Sequence, residues 1–257
     1  MSHKILTFAP LHQNGATVFS MLLSQALTYS NMRTLFTFTQ VESLAPGYVG
    51  VTGLSDPSRS VMQLVKLIDI GSLKNNEILD YACLYEKNAY MMDLSNKTLT
   101  DKNQRKIVRH MFRSVPTDVV VCDDSSDSNN MTSKALLEEA DQVFLVITPS
   151  KKNYVQLKEW LELPHIKHRK DVYVVLNYYN EAVGAVRDIA RSIGMKASHV
   201  CKLHYNPYIT KCTLSGQLHT ILPAMHGKDV RVTNLTGDFR ELLSCVSSEM
   251  MLSKKRR

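Results

Sequence analysis

The sequence predicts one α/β domain built on a doubly wound, mostly parallel sheet with helices on both faces. Three observations lead there. Short apolar runs alternate with stretches of helical periodicity along the chain, as strands covered on both faces by crossover helices require. The strongest run, Val119-Val120-Val121-Cys122, ends in the carboxylates of Asp123 and Asp124, an ending suited to the ligand edge of such a sheet. A chain of 257 residues with 44% hydrophobic content can bury one large core.

The elements follow in chain order. Residues 4–9 form an apolar first strand, residues 10–17 a loop and residues 18–29 a helix. Residues 34–39, rich in β-branched and aromatic side chains, are a second strand. Pro46, Gly47, Gly50 and Gly53 mark a loop. Residues 58–68 repeat at helical spacing through Val61, Leu64, Val65 and Ile68, and residues 77–84 read as a further helical piece. Residues 89–93 are a short strand. Thr100 is placed as the N-cap of a basic helix running to Ser114. Residues 119–124 are the central strand, and a polar turn at 125–130 leads to a helix ending at Ala140. The strand at 142–148 stops at Pro149. Residues 154–163 read as a helix, 172–177 as a strand and 182–193 as a helix capped by Gly194. A last strand spans 199–203 and a C-terminal helix 238–251. The total is seven strands and eight helices.

Composition narrows the function classes. No run approaches the roughly 18 apolar residues that cross a bilayer, and the first residues lack a basic segment followed by an apolar one. We therefore expect a cytoplasmic protein, with peripheral contact at the inner face of the membrane as a variant of that expectation. The five cysteines are scattered, without a C-x-x-C pair, and read as reduced packing residues. A net charge of +7 favours an anionic partner without choosing among nucleic acid, acidic lipid and acidic protein.

In a doubly wound sheet, chemistry gathers beyond the carboxyl ends of the strands. The first such end, Pro10 to Thr17, has a phosphate-loop layout of strand, loop and helix. The working pattern G-x-x-x-x-G-K-[ST] wraps phosphates in backbone N–H groups, extends a lysine to them and holds Mg²⁺ with the hydroxyl. Here Asn14 and Gly15 close the loop and Thr17 supplies the hydroxyl, but Ala16 stands at the lysine position. Asp123 is the second candidate, able to bind Mg²⁺ directly or through water. Asn177, after a strand, is the third, with an amide able to pair with a purine edge.

These landmarks, with Thr148-Pro149 after one strand and Pro207 after the last, come in the order of the MinD/ParA branch of P-loop ATPases. The resemblance covers nearly the whole chain. It implies a nucleotide site at Asn14, Gly15, Ala16, Thr17, Asp123, Asn177 and Pro207, with Mg²⁺ on Thr17 and Asp123. The departures are equally specific. Leu11 replaces the signature lysine that reaches the partner's nucleotide, His12 and Gln13 replace two glycines, and Ala16 replaces the phosphate-binding lysine. The second strand also ends without an Asp, Glu42 being a poor substitute. Losing these cations from a site that neutralises phosphates should weaken ATP binding and weaken hydrolysis more. The expectation is a degenerate member resembling the TadZ/CpaE-type localisation proteins. It would need no cofactor, ATP and Mg²⁺ binding weakly at most, and would position or recruit a larger machine such as a pilus or secretion apparatus. The alternatives are an active ATPase with relocated cations, such as Lys151 or Lys152, and a ParA-like DNA-binding partition protein.

Expected partners are proteins of an assembly, with a homodimer as an option. Arg105, Lys106, Arg109 and Arg113 form a basic helix face that could contact DNA phosphates or a partner. The C-terminal helix carries an apolar stripe followed by Lys254-Lys255-Arg256-Arg257. We read it as a packed core helix in preference to a lipid-surface anchor, because its other face lacks basic character.

Overall fold

The structure is a computed structural model. It describes residues 2–10, 14–40, 43–51, 54, 60–95, 101–124 and 131–255, and of residues 75, 76, 101, 131 and 252–255 it describes the backbone alone. Leu11, His12, Gln13, Glu42, Gly53, Thr100, the turn at 125–130, Arg256 and Arg257 lie outside the described residues, as do the side chains of Lys254 and Lys255.

The strands are β1 (His3–Phe8), β2 (Thr34–Phe38), β3 (Cys83–Glu86), β4 (Ala89–Asp93), β5 (Val119–Asp123), β6 (Gln142–Ile147), β7 (Val172–Tyr179) and β8 (Val200–His204). They form one sheet in the order β3-β4-β2-β5-β1-β6-β7-β8. Every pairing is parallel except the β3–β4 hairpin. The helices are α1 (Ala16–Tyr29), α2 (Ala45–Tyr48), α3 (Val61–Asp69), α4 (Asp101–Ser114), α5 (Met131–Glu139), α6 (Lys151–Leu161), α7 (Pro164–Lys167), α8 (Val186–Ile193), α9 (Pro207–Leu214), α10 (Ile221–His226) and α11 (Thr233–Lys255).

Strand periodicity sorts the core into two layers. Leu6, Phe8, Val120, Cys122, Leu145, Val174 and Leu176 face Ile107, Met111, Leu136, Leu157 and Ile189 of α4, α5, α6 and α8. Ile5, Val119, Val121, Phe144, Val146 and Val175 face Phe19, Leu22, Leu23, Leu235, Phe239 and Leu242 of α1 and α11. Both layers exclude water, which is why the strands read as near-continuous apolar runs.

The topology also fixes where a ligand edge lies. β1 has β5 on one side and β6 on the other. From β1 the chain goes to β2 on the β5 side, and from β6 it goes to β7 on the far side. Adjacent strands whose connections leave in opposite directions open a crevice at their carboxyl ends.

Several elements differ from their sequence reading. Residues 77–84, read as helical, divide into a 3₁₀ segment, Asn75–Tyr81, and the edge strand β3. The alternating pattern of a short antiparallel edge was masked by helix-forming Glu, Leu and Asp upstream. The helix read at 182–193 is broken at Gly184, with a 3₁₀ turn before it and α8 starting at Val186. Residues 207–232, assigned no regular elements from sequence, hold α9 and α10. Both are too short for periodicity to register. The C-terminal helix starts at Thr233, earlier than its read start at Asp238.

Candidate functional site

Asn14 and Gly15, the described residues that lead into α1, stand at the carboxyl ends of β6 and β7, beside the crevice. Gly15 caps that helix in the left-handed conformation, φ 72°, which glycine adopts without steric cost. Ala16 follows at the first helical position and is 4% exposed, packed within the α1 core layer. The position assigned to a phosphate-binding lysine therefore carries a buried methyl group.

Asn14 ties the start of α1 to these two strands. Its Oδ1 accepts the Thr148 N–H at 3.0 Å from the end of β6. Its carbonyl accepts from Asn177 Nδ2 at 2.7 Å, across from β7. Asn177 is buried, so an amide read from sequence as a partner for a purine edge donates to the loop backbone.

Tyr178 is the residue that sequence reasoning missed. β7 shifts register against β8 between Asn177 and Tyr179, and Tyr178 takes φ 55°, a costly state for a bulky side chain. A bulge of this kind re-aims a side chain out of strand alternation. The hydroxyl it re-aims comes against Gly15: a Cβ there would lie 2.9 Å from Tyr178 Oη and 2.5 Å from Asn177 Nδ2. Tyr205 packs edge-on to Tyr178, ring centroids 6.2 Å apart. Tyr48 of α2 joins them: its hydroxyl is pushed above the usual range by burial, then by its neighbours Tyr178 and Asp123. The Asn-Tyr-Tyr run at 177–179 held a cue, since two adjacent tyrosines break alternation, but the positive φ had none.

Asp123 ends β5 beside Thr7 of β1 and is wholly buried. Its Oδ1 accepts a long hydrogen bond from Ser20 Oγ at 3.4 Å. Ser20 also contacts Thr7 Oγ1 at 2.6 Å and the Ala16 carbonyl at 2.6 Å. Asp123 Oδ2 is buried with no hydrogen-bond partner among the described residues. Burial pushes the carboxyl up to about 6, with Asp124 adding to the rise, while Thr17, Ser20 and Gln40 draw it down. Asp124 is committed elsewhere, accepting from Thr39 Oγ1 at 2.8 Å and Ser133 Oγ at 2.6 Å.

The two halves of the nucleotide site that the sequence resemblance implied fare differently. Thr17, whose side chain favours the ionised Asp123 carboxyl, and Asp123 itself retain the oxygen donors that suit a hard divalent cation. On the phosphate side, among the described residues, Ala16 brings no charge, and Asn177 and Tyr178 lie against Gly15 where close backbone approach is required. Lys151 and Lys152, exposed at the start of α6 just past Thr148, are cations on this same edge of the sheet.

The remaining sequence candidates are Pro207, just past the carboxyl end of β8, and the basic face of α4. Pro207 is exposed and opens α9, whose N-cap Asn206 accepts the Tyr208 N–H at 2.8 Å. It serves as a helix start, and Tyr205 is the residue of that segment that reaches Tyr178. On α4, Lys106 pairs with Asp69, Arg109 with Glu138 at 2.5 Å, and Arg113 with Glu139. The basic face of Arg105, Lys106, Arg109 and Arg113 is thereby largely matched by carboxylates of α3 and α5. Cys201 and Cys245, far apart in sequence, meet with sulfurs 3.6 Å apart as free thiols. No group of three or more His, Cys, Asp or Glu poised for a metal occurs among the described residues.

The first part of the apolar stripe of α11 packs on the domain, while Met251 at its end is 66% exposed. Phe239, Leu242 and Val246 are at most 2% exposed. No helix among the described residues is long and apolar enough to cross a membrane.

No family model and no curated protein matches the sequence. Solved structures do match. The ParA family ATPase of Chlorobium tepidum TLS aligns with TM-score 0.71 at 14% identity, over 97% of this chain and 98% of its own. The cell division ATPase MinD of Pyrococcus furiosus gives 0.70 at 15% identity, over 96% and 99%. A chain of the MinC:MinD cell division protein complex of Aquifex aeolicus gives 0.71 at 11% identity, over 95% and 96%. With the eight-stranded sheet and the order of its strands, these likenesses identify the fold of this chain as that of the MinD/ParA P-loop ATPases.

Proposed function

We propose that this protein uses a MinD/ParA fold as a scaffold for binding other proteins, positioning or recruiting a cytoplasmic or membrane-associated machine without ATP turnover. One observation carries the reading: Asn14 is fastened by Thr148 and Asn177, and Gly15 is covered by Asn177 and Tyr178, with Ala16 buried where a charge is needed. Asn14 and Gly15, so fastened, act as a structural turn into α1. Hydrolysis of a nucleoside triphosphate depends on positioning and charge stabilisation at the phosphates, and neither survives at Ala16. The likeness to a chain of the MinC:MinD complex supports a protein partner, and the family resemblance supports pilus or secretion assembly as the kind of machine.

Phosphate release with ATP and Mg²⁺ tests the proposal. The expected result is no turnover above background, unchanged by Asp123→Ala. Turnover abolished by Asp123→Ala would sink it.

A second reading, an ATPase with relocated cations, is favoured by the placement of Lys151 and Lys152 on the crevice edge. It requires turnover that appears with a partner and is lost in Lys151→Ala/Lys152→Ala. A DNA-binding partition role has weaker support, because the α4 cations are paired with carboxylates. It requires salt-sensitive DNA binding that Arg105→Ala/Arg109→Ala removes.

A further inference from the structure

A second cleft lies at the opposite end of the sheet. It has a volume of about 1030 Å³ and lies between α6, α7 and α8, over the first residue of β7 and the turn before β8. Val172 on its floor and Asn177 at the crevice are five residues apart on β7, about 16 Å along a strand. The two sites are therefore separate.

The cleft is cationic and its cations are available. Six Lys and Arg side chains line it against two carboxylates, Glu162 and Glu249. Lys167 pairs with Glu162, and Arg169 with Asp171. Glu249 accepts from Tyr173 Oη at 3.1 Å. Lys158, Lys170 and Lys196 are exposed, and their ammonium groups have no ion-pair or hydrogen-bond partner among the described residues. Arg191 is held only by an exposed contact to Asp188 at 3.3 Å. Lys158 and Arg191 sit in the last turns of α6 and α8, where helix dipoles favour cations. Lys170 and Lys196 are on loops, so helix stabilisation does not account for them. The floor is different in character: Leu161, Val172, Ile193 and Met195 are apolar, and His199 stacks on Tyr173 with centroids 4.7 Å apart.

We propose that this cleft binds a small organic polyphosphate, its phosphates on Lys158, Lys170, Lys196 and Arg191 and its apolar or aromatic body on the floor. Lysine is an effective point-charge phosphate binder, and an apolar pocket with a few convergent charges of about this size suits a small ligand better than a flat polymer surface. An extended nucleic acid is the rival occupant and becomes an outcome of the test.

The experiment is calorimetric titration of the full chain with inorganic tripolyphosphate, with ATP, and with a short DNA duplex, in EDTA at low salt. ATP is expected to bind more tightly than tripolyphosphate. Lys170→Ala/Lys196→Ala should weaken both by about tenfold or more, as loss of charge-assisted hydrogen bonds implies. Thr17→Ala, at the other end of the sheet, should leave both unchanged. The lysines are exposed and unpaired, so the double variant is expected to fold like the parent by circular dichroism. The proposal is overturned if ATP binds no better than tripolyphosphate, if the double variant binds as the parent does, if Thr17→Ala removes the binding, or if only the duplex binds. Omitting Mg²⁺ keeps this result separate from turnover in the crevice.

Discussion

The buried carboxyl of Asp123 gives the sharpest quantitative prediction. Its folded-state value of about 6 stands above the ordinary 3.8 because burial penalises the ionised form. At about 1.4 kcal/mol per unit, the difference corresponds to on the order of 3 kcal/mol. Because the folded value is the higher one, the folded protein holds the proton more tightly than the unfolded chain. That contribution to stability is fully present below about pH 3.8 and is lost as pH rises through about 6. Asp123→Asn removes the titration while keeping the shape, and Asn can still accept from Ser20. The variant should therefore gain on the wild type across this window, ending on the order of 3 kcal/mol more favourable, relative to its low-pH difference, at about pH 7.5. Urea unfolding of both proteins from about pH 4 to about pH 8 measures the difference, provided the denaturant slope stays constant. A difference that is flat across this range would refute the claim that Asp123 is a protonatable buried acid with an orphaned oxygen.

Further outcomes are expected elsewhere in the molecule. Gly15→Ala should cost about 2–4 kcal/mol in urea unfolding, combining a left-handed backbone with a side chain and an Asn177 amide driven from the Asn14 carbonyl; a cost below about 1 kcal/mol would mean that Tyr178 and Asn177 do not cover Gly15. Leu242→Ala, at a fully buried site on α11, should cost about 2–5 kcal/mol. Sedimentation of the wild type with anionic vesicles should show no binding that depends on the α11 apolar stripe. Asp238→Ala removes the acceptor for the His204 N–H and ring, at 2.8 Å and 2.9 Å, and should cost about 1–3 kcal/mol, seen as a lower urea midpoint.

The sequence by itself determined the central parallel strands and their ligand edge, which rest on local signals, but not the antiparallel β3 edge. The short, β-branched run Val119 to Val121 with Cys122 reads as a doubly buried strand, with Asp123 at its carboxyl end, as found. Loss of charge at Ala16 is equally local, since no fold can supply a lysine from a methyl group. The structure added what depends on distant partners. Cys83 to Glu86 became a strand only because β4 offered it an edge. The carboxylates that match Lys106, Arg109 and Arg113 come from helices 26 to 37 residues away in sequence. The covering of Gly15 needed a bulge in β7 that turns Tyr178 out of alternation, a backbone state set by tertiary packing. The cationic cleft is likewise assembled from α6, α7, α8 and the loops between them, charges that along the chain look only like solvated helix faces.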